Sequence, residues 1–179
     1  GKLKLLFVGS MSQRKGLADL FEAMKLVDSP QVTLTILGRP SMPMHFYRSH
    51  YPNFKYLPPR SNEGVREVML EHDVLVLPSI IEGRALVQQE AMACGLPLIV
   101  TRNAGGKDLI EEERTGFLVP NREPGKIAEK IDWYCQNLQE IDEMSEYCRN
   151  KASQYKWSEY ARSIINFCLR NRSNSTDIQ

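Results

Sequence analysis

The sequence predicts a doubly wound α/β domain, with a parallel sheet of about six strands followed by C-terminal helices. Two observations predict it. Through the first part of the chain, short runs rich in leucine and β-branched residues alternate with amphipathic stretches, the pattern of βα units around a parallel sheet. After Pro120 the strand-like runs stop and only helical periodicity continues. With 179 residues the chain is long enough for one sizeable core and only marginally long enough for two.

Each element follows from its local pattern. Strands are expected at Lys4–Val8, Val32–Leu37, Phe54–Leu57, Asp73–Leu77, Pro97–Thr101 and Phe117–Val119, all short and apolar. Between them the 3.6-residue period places helices at Gly16–Val27, Met44–His50, Glu63–Glu71, Ala85–Cys94 and Lys107–Glu111. Three more helices are expected at Pro124–Asn137, Ile141–Gln154 and Trp157–Asn171. Residues 172–179 are polar and expected to be disordered, so the domain runs over 1–171.

Composition excludes several classes. The chain is 42% hydrophobic and 25% charged, outside the disordered, collagenous and disulfide-rich ranges. With 23 basic and 22 acidic side chains the net charge is +1, which supplies no global field for nucleic acid. Apolar runs such as Val74–Leu77 and Leu96–Val100 fall far short of the roughly 18 residues a membrane span needs. The N-terminal Gly1-Lys2-Leu3-Lys4 has no signal-peptide layout, and a cytoplasmic setting is expected. Cys94, Cys135, Cys148 and Cys168 lack CxxC spacing and read as buried free thiols; His45, His50 and His72 form no metal-binding set, so no protein-held metal is expected.

In an open parallel sheet the ligand sits beyond the carboxyl ends of the strands, so the loops there carry function. The loop Gly9-Ser10-Met11-Ser12-Gln13-Arg14-Lys15-Gly16 follows the first strand and opens a helix, bringing free N–H groups and a positive helix end to one spot beside Arg14 and Lys15. It matches neither GxxxxGK[ST] nor GxGxxG. It reads as a phosphate grip or as two solvated cations.

The stretch Glu82-Gly83-Arg84-Ala85-Leu86-Val87-Gln88-Gln89-Glu90-Ala91-Met92-Ala93-Cys94 is more specific. At 100° per residue Glu90 falls between Leu86 and Cys94, flanked by Val87, Ala91 and Ala93, with Gln88, Gln89 and Met92 opposite. That puts a carboxylate midway across the apolar face, where it needs donors such as sugar or ribose hydroxyls. Glu82 stands beyond the helix N-terminus, and Glu90 lies roughly 7 to 8 Å along the helix from Ala85. The N–H groups of Arg84, Ala85 and Leu86 point out between the two acids. The alternative is a buried structural Glu90 capping a nearby loop, with Glu82 merely at the surface.

Together Glu82 and Glu90 form an E-x7-E pattern within EGRALVQQEAMACGLPLIVT, which resembles the retaining glycosyltransferases of family 4, of GT-B fold. FVGSMSQRKGLADLFEAM, VTLTILGRP, DVLVLPSIIEG and GGKDLIEEERTGFLVP extend the resemblance from Leu3 to about Asn171. It implies the C-terminal, Rossmann-like donor domain of such an enzyme, transferring a hexosyl group to an acceptor hydroxyl in glycan, lipopolysaccharide, capsule or glycolipid synthesis. Arg14, Lys15 and Glu82 would then be catalytic, the two cations on the diphosphate and Glu82 near the transferred sugar. Glu90 would hold the ribose hydroxyls. Gly9, Ser10, Gly83, Arg84, Ala85 and Leu86 would meet the sugar and phosphates, and Pro58 and Arg60 would line the base.

The resemblance further implies a UDP-, GDP- or ADP-sugar donor, no cofactor and no metal. The partner it implies is an N-terminal acceptor domain of the same protein, reached by a crossover helix at 157–171. Peripheral association with the inner face of the membrane would run through that domain. Two departures stand out: Ser10 sits where many members carry an arginine, and Arg84 where an aromatic or aliphatic residue is usual. A nucleotide-sugar epimerase of the same architecture and a non-catalytic nucleotide- or partner-binding domain are the competing readings.

Overall fold

The computed structural model describes residues 1–83 and 85–156, together with Ser158, Ala161, Arg162 and 164–166. Six strands form one sheet: β1 (Leu3–Val8), β2 (Val32–Leu37), β3 (Phe54–Leu57), β4 (Val74–Leu77), β5 (Leu98–Thr101) and β6 (Gly116–Val119). Their order is β3-β2-β1-β4-β5-β6, and every pairing is parallel. Each expected strand is present, within one residue at its ends.

Burial explains the strand composition. A parallel sheet covered on both faces needs apolar residues on both, so central strands lose the alternation of a half-exposed strand. All four residues of β4 and all four of β5 are buried, as are Leu3, Leu5, Leu6 and Phe7 of β1. β2 and β3, toward the edge, keep Thr33 and Lys55 exposed.

The helices are α1 (Leu17–Val27), α2 (Met44–His50), α3 (Asn62–Leu70), α4 (Leu86–Ala93), α5 (Pro124–Gln136) and α6 (Ile141–Ala152). α1 packs on α5 and α4 on α6, so helices pair across the sheet surface. α3 starts at a Ser61 N-cap whose hydroxyl accepts the Gly64 N–H at 3.3 Å, and α5 starts with Pro124.

The helix expected at Lys107–Glu111 is instead a single 3-10 turn, Lys107–Leu109, preceded by another at Arg102–Ala104. Gly105, in the left-handed region at φ 72°, separates them. Thr115 ends the second: its hydroxyl donates to the Leu109 carbonyl at 2.8 Å and accepts the Glu111 N–H at 2.8 Å, two groups that a longer helix would have needed. The helix expected over Trp157–Asn171 and the tail 172–179 lie outside the described residues, apart from Ser158, Ala161, Arg162 and 164–166, which are helical.

Strand order reverses between β1 and β4, so their following loops diverge and leave a crevice at the carboxyl edge. Two glycines let backbones close around it. A Cβ on Gly38 would sit 1.8 Å from the Gly9 carbonyl oxygen, and one on Gly16 would sit 1.8 Å from that of Pro78. Both have positive φ, 157° and 73°. They lock the loops after β1, β2 and β4 together.

Candidate functional site

The crevice opens into a cleft of about 600 Å³, bounded by the end of β1 and by α3 and α4. Val8, Gly9 and Lys15 form one end. Lys15 belongs to a 3-10 turn, Gln13–Lys15, that Gly16 joins to α1. The turn swings the Lys15 side chain back over Gly9, where an added Cβ would lie 3.5 Å from the lysine Cε. Lys15 is only 9% exposed.

A buried ammonium needs a partner, and Glu82 supplies one. Lys15 Nζ donates to Glu82 Oε2, which also accepts from Ser79 Oγ at 3.3 Å. Arg14, although adjacent, is exposed and does not line the cleft; its carbonyl accepts the Ile80 N–H at 2.8 Å. A 3-10 turn points successive side chains in different directions, so only one of the two cations turns inward.

A web of hydrogen bonds fixes the loop that carries Glu82. The Glu82 N–H donates to the Asn103 carbonyl at 2.9 Å. The Ile80 carbonyl accepts from Asn103 Nδ2 at 3.0 Å and from Asn121 Nδ2 at 2.9 Å. Thr101 Oγ1 donates to the Ser79 carbonyl. Loops after β1, β4, β5 and β6 therefore meet at Ser79–Glu82. Asn103 and Asn121 were missed from the sequence, since isolated asparagines in loops carry no spacing signal.

α4 forms the next wall. Its N-cap is Ala85, which has no side chain to cap the first turn, and Ala85 and Leu86 both line the cleft. Alanine is among the poorest N-caps, by about 1 kcal/mol; the Gln88 N–H turns back to the Ala85 carbonyl at 3.0 Å, and the Leu86 and Val87 N–H groups have no side-chain cap and are available to a ligand. Gly83 is exposed with open space around it, and Arg84 lies outside the described residues.

The apolar face on which Glu90 was expected is the one that lines the cleft, and the alternative of a buried structural Glu90 is excluded. The face packed into the core carries Gln88, Ala91 and Met92, each fully buried. The opposite face, with Leu86, Val87, Glu90, Ala93 and Cys94, lines the cleft. Glu90 is exposed and Leu86 is 49% exposed. Gln88 tolerates burial because its Nε2 donates to the Ala104 carbonyl at 2.6 Å, beside Gly106, where any side chain would collide with it. A wheel counts apolar residues, whereas shape decided here: small Ala91 and flexible Met92 fit the core.

α3 closes the far side with Asn62, Val65, Arg66 and Met69, spaced i, i+3, i+4 and i+7. The expected base-lining residues, Pro58 and Arg60, are exposed and do not line the cleft. Arg60 instead leans on Gly64, its Cβ and Cδ lying 3.1 and 3.2 Å from where a Gly64 Cβ would stand. Ser10 also stays outside the lining, its hydroxyl 3.2 Å from that of Ser12. At the deep end burial pushes the Cys94 thiol up; Arg66 opposes that shift and Glu90 adds to it.

A larger groove, about 1280 Å³, opens at the amino ends of β1–β3. Its lining mixes Lys4 and Lys55 with Asp28 and Glu71 and gathers no convergent set of groups. Among the described residues no group of three or more His, Cys, Asp or Glu is placed to hold a metal ion, and no helix is long and apolar enough to cross a membrane.

The comparisons agree with this architecture. The model of the glycosyl transferases group 1 family matches residues 2–137. The chain belongs to that family. An uncharacterized 41.2 kDa protein in the cps region of Klebsiella pneumoniae is 30% identical over 165 residues, covering 92% of this chain and 45% of its own length. The C-terminal domain of a group 1 glycosyl transferase, LpcC of Francisella tularensis, superposes with a TM-score of 0.76 at 19% identity, covering 86% of each chain. HepE of Anabaena, solved in complex with UDP-glucose, superposes with a TM-score of 0.78 at 22% identity, covering 96% of this chain and 49% of HepE. The chain thus spans about half the length of relatives such as the Klebsiella protein. The order β3-β2-β1-β4-β5-β6 is the Rossmann-like sheet of a GT-B glycosyltransferase domain.

Proposed function

We propose that this chain is the nucleotide-diphosphate-sugar-binding domain of a retaining glycosyltransferase, which transfers a hexosyl group to an acceptor hydroxyl in glycan, lipopolysaccharide, capsule or glycolipid synthesis. One observation carries the reading: the Lys15–Glu82 pair and the uncapped start of α4 meet at the β1/β4 switch point, with Glu90 further along the same helix. A cation and free N–H groups suit a diphosphate, and a carboxylate some 6 Å along the helix from Leu86 suits a hydroxyl pair. HepE, of the same fold, is solved with UDP-glucose, which supports a nucleotide sugar as the ligand.

In this reading Lys15, joined by Arg14 once a ligand draws it in, holds the diphosphate. Gly9, Ser10, Gly83, Arg84, Ala85 and Leu86 surround phosphate and sugar, and Glu90 takes the ribose. The bond from the anomeric carbon to the β-phosphate oxygen breaks, and the acceptor oxygen bonds to that carbon on the same face. The acceptor proton passes to the leaving phosphate, and a nucleoside diphosphate departs. Lys15 and the α4 amides oppose the charge that develops on that phosphate, which is electrostatic preorganisation. The acceptor is held by an N-terminal domain of the same protein.

Calorimetry of this chain against UDP, GDP and ADP tests the reading. Binding of at least one, weakened at least tenfold by Glu90→Ala, is expected. Failure of a folded sample to bind any of the three refutes it.

A further inference from the structure

The groove between α3 and α4 has two walls that touch only in part and leave a cleft between them. α3 presents Asn62, Val65, Arg66 and Met69 and α4 presents Val87, Glu90, Ala93 and Cys94, each set at helical spacing. Stripes of this kind normally pack together and bury each other. Here they flank open space, with Arg66 exposed on one wall and Glu90 exposed on the other. Among the described residues neither has an ion-pair partner within 4.0 Å. Both line the same cleft, together with Cys94.

The order of groups along the groove sets what Arg66 meets. Lys15 and the start of α4 form one end, Glu90 stands about 6 Å along from Leu86, and Cys94 about 12 Å along. A nucleotide with its phosphates at the first end and its ribose at Glu90 has its base beside the ribose, against α3. Glu90 offers acceptors only, matching ribose hydroxyls. Arg66 offers donors only, in a planar fork. That fork pairs with the carbonyl-bearing edge of uracil or guanine and opposes the amino group of adenine, donor against donor.

Resting on the nucleotide-sugar reading above, we infer that Arg66 reads the base edge and selects a keto nucleobase, uracil or guanine, over adenine. Asn62, one helical turn earlier on the same wall, lies within reach of the same base.

The test is calorimetry of the wild type and Arg66→Gln with UDP, GDP and ADP, with circular dichroism confirming the fold. Arg66 is exposed and has no ion-pair partner among the described residues, so the substitution leaves the fold intact, and glutamine offers both a donor and an acceptor. The wild type is expected to bind UDP or GDP at least tenfold more tightly than ADP. Arg66→Gln is expected to weaken that binding roughly tenfold and to leave ADP within about twofold. A preference for GDP marks a bidentate contact and a preference for UDP a single one; both support the inference. Equal binding of all three nucleotides by the wild type, or an equal loss for all three in the variant, overturns it while leaving the nucleotide-sugar reading standing. No binding of any nucleotide by the wild type overturns both.

Discussion

The pairing of Lys15 with Glu82 makes an unusual prediction: Glu82→Gln should tighten the binding of bare UDP. In the unliganded chain the ammonium expected to grip a diphosphate is already held by a carboxylate. A phosphate oxygen hydrogen-bonded to the same Nζ lies roughly 5 Å from the Glu82 oxygen, given charge-assisted bonds of about 2.8 Å. Repulsion between two unit charges at that distance is about 3 kcal/mol at an effective dielectric of 20 and about 0.8 kcal/mol in bulk water. The cleft is open on one side, so a value near 1.5 kcal/mol, about tenfold in affinity, is expected. Glutamine keeps a neutral acceptor for Lys15, so the fold should survive. Isothermal titration of UDP into both proteins measures the difference, with Lys15→Met as the control that should lose binding. An unchanged or weakened UDP affinity in folded Glu82→Gln refutes the competition between phosphate and carboxylate for Lys15.

Gly16→Ala puts a Cβ 1.8 Å from the Pro78 carbonyl oxygen at φ 73°, and a loss on the order of 3 kcal/mol should lower Tm by about 6 to 12 °C; a fall of under about 2 °C contradicts the clash. His72 bridges the Val68 carbonyl at 2.6 Å and Thr35 Oγ1 at 2.8 Å; burial lowers its pKa, outweighing the upward effects of the Val68 bond, Glu71 and Asp73, while Lys4 adds to the lowering. The unfolded chain then binds more protons just below the ordinary histidine pKa of about 6.5, so stability is complete above that pH and falls beneath it. Urea midpoints across pH 5 to 7 should show that slope in the wild type and a flatter one in His72→Gln; identical slopes refute the assignment. Cys94 lines the cleft, whereas burial holds the Cys148 thiol up at about 12, so saturating nucleotide should slow iodoacetamide labelling of Cys94 several-fold while Cys148 stays unlabelled. Peptide mass spectrometry reads both, and unprotected Cys94 despite bound nucleotide would move the site elsewhere.

Strands were the most legible part of the sequence, because a doubly covered parallel sheet writes itself as apolar runs such as VLVL and LIVT. Helix α4 was legible as a helix but not in its orientation. The wheel put Glu90 on an apolar face with Leu86, Val87 and Cys94 but did not say that this face lines a cleft while Gln88 faces the core. Nothing in the helix itself announces that choice. The signal lies elsewhere, in Gly106, which clears room for the Gln88 amide. The outward direction of Arg14 was not legible for a similar reason, since adjacency in sequence says nothing of which side of a 3-10 turn a side chain takes. The α3 wall escaped notice because Arg66 lies in a stretch whose spacing reads as an ordinary surface helix.

The two ends of the cleft are built to different degrees of rigidity, and that difference fits a division of labour. The end with Lys15 and Glu82 is fixed from four loops at once through Ile80, Asn103, Asn121 and Thr101. Groups that must oppose developing charge gain most from being held before the reaction begins. The end with Arg66 is held otherwise: α3 is anchored by Val68 and Met69 in the core and by the His72 bridge at its base, while Asn62 and Arg66 on its cleft face are exposed. Substitutions at Asn62 or Arg66 therefore touch neither the core nor the web around Glu82. On the proposed function, a domain arranged in this way would exchange one nucleotide base for another by changing one wall of a groove, while the groups assigned to the diphosphate stay where the sheet puts them.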